Sequence, residues 1–106
     1  MKRVQLNYIN GKTHDILSGV ALGESARKQN DFDSLDLQPD PVEIEIPEKV
    51  ISVNSSFFSG AFQKSIKTLG VEKFRKQYVF LCDDIIRQNI ENGIFNIVKT
   101  FDLVGG

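Results

Sequence analysis

The residues of this chain most able to carry chemistry stand together in the segment Val53-Asn54-Ser55-Ser56-Phe57-Phe58-Ser59-Gly60. The preceding residues are extended and the following ones have helical spacing, so hydroxyl groups are expected in the first turn of a helix. Backbone N–H groups are unpaired there and the helix dipole favours negative charge. A phosphoserine would therefore be tolerated locally. The alternative is that Asn54, Ser55 or Ser56 only caps the helix.

The remaining reactive side chains do not assemble into a catalytic or metal-binding pattern. His14 is the only histidine, and Cys82 is the only cysteine, with aspartates after it that oppose thiolate formation. A serine nucleophile needs an oriented base, so a serine-dependent enzyme is the less favoured alternative. The acidic residues of 30–41 lack the glycine and closing glutamate of a calcium loop. We therefore predict no catalytic residue, cofactor or metal.

Composition limits the class of protein. The chain has 106 residues, 41% of them hydrophobic, and a formal net charge of −1. This length suits one domain with its own core. One cysteine suits a reducing compartment, and no apolar run resembles a signal peptide or membrane span. We expect a cytoplasmic protein without a membrane association, and the absence of a basic motif argues against nucleic-acid binding.

Periodicity predicts alternating strands and helices. Strands are expected from Val4 to Tyr8 and over 42–46, 50–53 and 78–82. Helices are expected after Ser18, over 54–70 and after Asp83, with a short helical turn anchored by Phe74. The pair Asn92-Gly93 leaves residues 94–101 open to either helix or strand, and we favour helix. Residues 30–41 read as an acidic, dispensable loop, and residues 104–106 as a flexible tail.

This alternation predicts an α/β domain with a mixed, mostly parallel sheet and helices packed on it. The predicted core side chains are Phe58, Phe62, Ile66, Phe80, Ile86 and Ile90. No second domain or internal repeat is indicated.

The segment from Val42-Glu43-Ile44 to Gly70, with the strand over 78–82, resembles the STAS-like domains, most of all a small bacterial group of unknown function. The earlier Ser18-Gly19 and Ala26-Arg27 resemble that group's first helix. The related anti-sigma-factor antagonists carry a serine at this strand-to-helix junction that a histidine-kinase-like ATPase phosphorylates. The resemblance places that serine at Ser55, with Asn54 where the relatives have aspartate. Phe57-Phe58-Ser59 replaces their Gly-Leu-Gly.

The expected function is a non-enzymatic protein–protein interaction or regulatory domain, switched by phosphorylation at Ser55. Its expected partner is a protein, in the resemblance a histidine-kinase-like ATPase. The alternative is a structural homodimer formed through the face of Phe57. The predicted contact residues are Asn54, Ser55, Ser56, Phe57 and Ser59.

Overall fold

A computed structural model describes the backbone of residues 1–105 and the side chains of residues 1–101. The strands are β1 (Lys2–Gln5), β2 (Tyr8–Ile9), β3 (Lys12–Thr13), β4 (Ile16–Leu17), β5 (Val42–Glu45), β6 (Ser52–Val53) and β7 (Tyr78–Leu81). The helices are α1 (Val20–Asn30), α2 (Phe32–Leu35), α3 (Ser55–Leu69), α4 (Val71–Gln77) and α5 (Asp84–Gly105). The predicted α/β class with a mostly parallel sheet is confirmed.

The main sheet has the order β1-β5-β7, with each neighbouring pair parallel. Val4, Ile44 and Phe80 share one row and are buried. The next row toward the strands' starts, Arg3, Glu43 and Val79, lies on the opposite, more exposed face. A short parallel pair, β4 with β6, precedes the helices α1 and α3. The period-two pattern in the sequence therefore separates the buried face from the exposed face.

The core is built around aromatic rings from α3, α4 and β7. The ring centroid of Phe62 lies 5.0 Å from Phe32, 5.2 Å from Phe58 and 5.4 Å from Tyr78. The centroids of Phe74 and Phe80 are both 5.5 Å from it. Every side chain predicted for the core is buried, including Ile86 and Ile90 on α5. The helical spacing of apolar residues identified these faces correctly.

The segment 30–41, predicted as a loop, contains a short helix. Residues 32–35 form α2, and both Phe32 and Leu35 belong to the core. Asp31 begins this turn in a left-handed conformation, with φ of 53°. Leu37 is 75% exposed, whereas one aspartate of the segment, Asp36, is buried, which its polar composition did not indicate.

Asp36 is held in a buried polar network that joins α1, α2, α3 and β7. Its carboxylate accepts hydrogen bonds from Arg27 Nη2 at 2.8 Å, Ser65 Oγ at 2.6 Å and Tyr78 Oη at 2.5 Å. Arg27 Nη1 also donates to Ser65 Oγ and to the carbonyl oxygen of Ala61. Because these partners come from distant segments, the network fixes the 30–41 segment against the core.

The C-terminal segment forms one helix, so the preferred helical reading of 94–101 is confirmed. Asp83 Oδ1 accepts from Ile86 N at 2.8 Å and caps the start of α5, as predicted. Residues 104 and 105 belong to α5 rather than to a tail, and Gly106 lies outside the described residues. The strand predicted from Val4 to Tyr8 divides, since β1 ends at Gln5 and β2 starts at Tyr8.

Helices α1 and α3 pack in parallel through small residues. A Cβ atom on Gly23 would lie 2.2 Å from the carbonyl oxygen of Phe57, and one on Gly60 would lie 2.3 Å from that of Val20. Ser18 was expected to cap α1, but the N-cap residue is Gly19, with φ of 95°. The glycines that weaken α1 by propensity therefore permit its close approach to α3.

Gly23→Ala is expected to destabilise the domain by about 1–3 kcal/mol, despite the better helix propensity of alanine. The new methyl group would overlap backbone atoms of α3, which cannot rotate away as a side chain can. Urea unfolding measures this loss, with Lys28→Ala on the exposed face of α1 as the control. A Gly23→Ala variant more stable than wild type would contradict the close packing.

Burial and the hydrogen bond to Asp36 raise the pKa of Tyr78 above its ordinary value of about 10. The folded state therefore keeps the phenol proton at a pH where the unfolded chain releases it. Stability is fully present below pH about 10 and should fall by up to about 1.4 kcal/mol per pH unit above it. Alkaline unfolding curves of wild type and Tyr78→Phe measure this, and a slope equal in both would contradict it.

Candidate active and binding surface at the start of helix α3

The predicted site lies where β6 passes into α3. Asn54 is the N-cap residue, with φ of −75° and ψ of 148°. Its Oδ1 accepts from the backbone N of Ser56 at 2.8 Å and from Ser56 Oγ at 2.6 Å. Asn54 therefore caps α3 in this chain.

Ser56 joins the starts of two helices. Besides donating to Asn54, its Oγ accepts from Gly19 N at 3.1 Å. The hydroxyl therefore donates one hydrogen bond to the N-cap residue of α3 and accepts one from the N-cap residue of α1. We assign Ser56 a structural role in holding the two N-terminal ends together.

Ser55 is engaged differently. Its Oγ accepts a hydrogen bond from Asn96 Nδ2 on α5 at 2.9 Å, and its side chain is partly exposed. Within the described side chains, the Ser55 hydroxyl donates to no partner and takes no part in capping α3. Its oxygen therefore lies at the surface, in the first turn of a helix, beside an exposed amide.

The prediction of Phe57 as a contact residue is wrong, since its side chain is 0% exposed. Helix α3 is covered on two sides, because α1 crosses near Phe57 and Ala61 while Gly93 of α5 lies against the ring of Phe58. Adjacent aromatic residues can therefore both be buried. This burial also removes the Phe57 face as the surface of a homodimer.

Ser59 is partly exposed, and its Oγ donates to Gln63 Oε1 at 2.6 Å within the same helix. It lies one turn beyond Ser55 on α3. The structure therefore places Asn54, Ser55, Ser56 and Ser59 at or near the surface of the start of α3, and excludes Phe57.

Asn96 of α5 extends this surface, and the sequence analysis missed it. Asn96 contacts Ser55 directly, and the adjacent Phe95 is 66% exposed. Val20, which follows the Gly19 bonded to Ser56, is 49% exposed. An apolar residue on the polar face of a helix was the available signal for Phe95.

The other reactive residues lie elsewhere in the hydrogen-bond network. The His14 Nε2 atom is 3.3 Å from the carbonyl oxygen of Ile9, within the N-terminal hairpin, and neither Ser55 nor Ser56 bonds to it. Burial raises the pKa of the Cys82 thiol, and Asp83 and Asp84 act in the same direction. Among the described residues, no group of histidine, cysteine and acidic side chains could hold a metal ion.

No helix in the described part of the chain is long and apolar enough to cross a membrane. No family model, curated protein or solved structure matches the chain. The STAS-like resemblance therefore remains a prediction from the motifs.

Proposed function

We propose that this chain is a non-enzymatic, cytoplasmic protein–protein interaction domain whose contact surface is the start of α3, with Ser55 as its phosphorylation site. The partner in this proposal is a protein, and the STAS-like motifs favour an ATPase of the histidine-kinase-like type. The contact residues are Asn54, Ser55 and Ser59 of α3, extended by Phe95 and Asn96 of α5 and by Val20 of α1.

The observation that carries this proposal is that the two serines make different hydrogen bonds. Ser56 is bonded to Asn54 and Gly19, so its modification would break the junction of two helices. Ser55 takes no part in the cap, and among the described side chains its hydroxyl is hydrogen-bonded only to the exposed Asn96. A modifying enzyme could therefore act on Ser55 without unfolding the start of α3.

Local electrostatics support a phosphate at this position. The N-terminal end of α3 favours negative charge, and the first turn contains no acidic residue that would repel it. The Asn96 amide could donate to a phosphate oxygen as it does to the hydroxyl. An apolar surface of a partner packed on this junction would have to desolvate the same charge. Phosphorylation is therefore expected to release an apolar partner rather than recruit it.

Serine substitutions test this assignment. Ser56→Ala should destabilise the domain by about 1 kcal/mol, because the bonds to Asn54 and Gly19 are lost. Ser55→Ala should change stability by less than about 0.5 kcal/mol, and Ser55→Asp should fold normally because a carboxylate suits a helix N-terminus. Urea unfolding of the three variants measures these differences.

Binding is measured on the same variants after a pull-down has identified a partner by mass spectrometry. Ser55→Asp and Phe95→Ala should weaken binding about tenfold or more, while Lys67→Ala, on an exposed part of α3 distant from its start, should bind as wild type does. If Ser55→Asp and Phe95→Ala both bind like wild type, this surface is not the contact. Incubation of the chain with a co-purified kinase and ATP, followed by phosphosite mapping, tests Ser55 as the acceptor.

A further inference from the structure

The two edges of the main sheet differ in how their backbone groups are used. On β7, Tyr78 N–H donates to the carbonyl oxygen of Phe74 at the end of α4. The carbonyl oxygen of Phe80 accepts from Arg87 Nη2 at 2.9 Å. The pair Arg75–Glu91, bonded at 2.7 and 2.8 Å, links α4 to α5 beside this strand. The outward N–H of Tyr78 and C=O of Phe80 are therefore already bonded within the domain, which hinders strand addition at the β7 edge.

The β1 edge has no such cover. Leu6 N donates to the carbonyl oxygen of Glu45 at 2.9 Å, so the backbone groups of Val4 and Leu6 face β5. Because backbone groups alternate along a strand, those of Arg3 and Gln5 face the opposite way. Among the described backbone groups and the side chains of residues 1–101, the N–H and C=O groups of these two residues have no hydrogen-bond partner. The next outward carbonyl, that of Asn7, accepts from His14 N.

We propose that β1 pairs with β1 of a second copy of this chain, antiparallel and across a two-fold axis at Val4. In that register Arg3 lies opposite the second copy's Gln5, and each such pair exchanges both of its N–H···O bonds. The axis generates the same pair twice, so every unpaired backbone group of Arg3 and Gln5 obtains a partner. The two three-stranded sheets become one continuous sheet, and the interface is isologous.

Charge and exposure are compatible with this pairing. Arg3 Nη2 lies 3.2 Å from Glu43 Oε1 on the outer face, so each copy brings a balanced ion pair to the axis rather than an unpaired like charge. Arg3, Gln5 and the preceding Lys2 are exposed in the single chain. This pairing does not depend on the role of Ser55, because all of its hydrogen-bonding groups belong to β1 and none to the start of α3.

The test is sedimentation velocity from low micromolar to millimolar concentration on wild type, Gln5→Pro and Gln5→Ala. Proline removes the outward N–H of Gln5 in both copies but leaves the β1–β5 ladder intact, since that N–H does not bond to β5. Alanine removes the same side chain and its bond to Asn7 Oδ1 while keeping the N–H. We expect a monomer–dimer equilibrium that Gln5→Pro weakens about tenfold or more and Gln5→Ala leaves within about threefold.

Amide hydrogen exchange of wild type supplies a second measurement that needs no variant to fold. Exchange at Arg3 and Gln5 should slow with rising protein concentration, while exchange at Val4, already bonded to β5, should not change. A chain that stays monomeric at millimolar concentration would overturn the proposal. So would a dimer that Gln5→Pro leaves unchanged, or a dimer in which Arg3 and Gln5 stay unprotected, since either would use another surface.

Discussion

Replacing Arg27 by methionine is expected to destabilise the domain by about 3–5 kcal/mol. The side chain of Asp36 is 3% exposed, and Arg27 provides the only cation bonded to it within the described residues. Methionine fills a similar volume but leaves the buried carboxyl group of Asp36 without its cation, with only Ser65 and Tyr78 still donating to it. Ser65 Oγ and the carbonyl oxygen of Ala61 lose a donor at the same time. Urea unfolding followed by circular dichroism measures the free energy.

The control for this prediction is Asp33→Asn. Asp33 also bonds Arg27, at 2.7 Å, but its side chain is 65% exposed, so water can replace the contact. Its loss should cost less than about 1 kcal/mol. In the double variant Arg27→Met with Asp36→Asn, the buried charge is absent, and the total cost should be smaller than the sum of the single costs. A loss below about 1 kcal/mol for Arg27→Met alone would show that Asp36 does not need the cation.

Much of the fold could be predicted because period-two and helical patterns determine which side chains face inward. The alternation over 42–46 and the spacing of Phe58, Phe62 and Ile66 identified buried faces without knowledge of the partners. The helix over 94–101 was also predictable despite Asn92-Gly93. Gly93 lies within α5 against Phe58, where an added Cβ atom would come within 2.7 Å of the ring.

The 30–41 segment could not be predicted from local sequence, because its polar residues are satisfied by distant ones. Asp36 accepts hydrogen bonds from Arg27 in α1, Ser65 in α3 and Tyr78 in β7. Considered without its tertiary contacts, the segment is an acidic stretch with prolines, which is typical of a loop. The roles of Gly23 and Gly60 could not be predicted from local sequence either. Each lowers helix propensity, and the advantage of lacking a side chain appears only where the two helices pack against each other.

The candidate site was located by sequence, while its internal roles depended on tertiary contacts. A run of Asn54, Ser55 and Ser56 predicts a helix start, but any of them could have been the cap. The partners Gly19 and Asn96 distinguish the two serines, and both lie on other helices. Phe57 was expected at the surface because one apolar face is usual for a helix, whereas α3 is covered on two.

Phe62→Ala is expected to cost about 3–5 kcal/mol of folding free energy. The side chain is 0% exposed, and its ring is stacked on Phe32, with centroids 5.0 Å apart and planes at 19°. It also packs edge-on against Phe74 and Phe80. Rings from α2, α4 and β7 would thus all border the cavity, and collapse into it would require several elements to shift together.

The matched control is Phe95→Ala, which removes the same ring from an exposed position of α5 and should change stability by less than about 0.5 kcal/mol. Urea unfolding of both variants, with equal slopes against denaturant, measures the difference. A cost below about 1 kcal/mol for Phe62→Ala would contradict its central place in the core. The pair also separates stability from binding, because Phe95→Ala is the variant expected to bind a partner less well while folding normally.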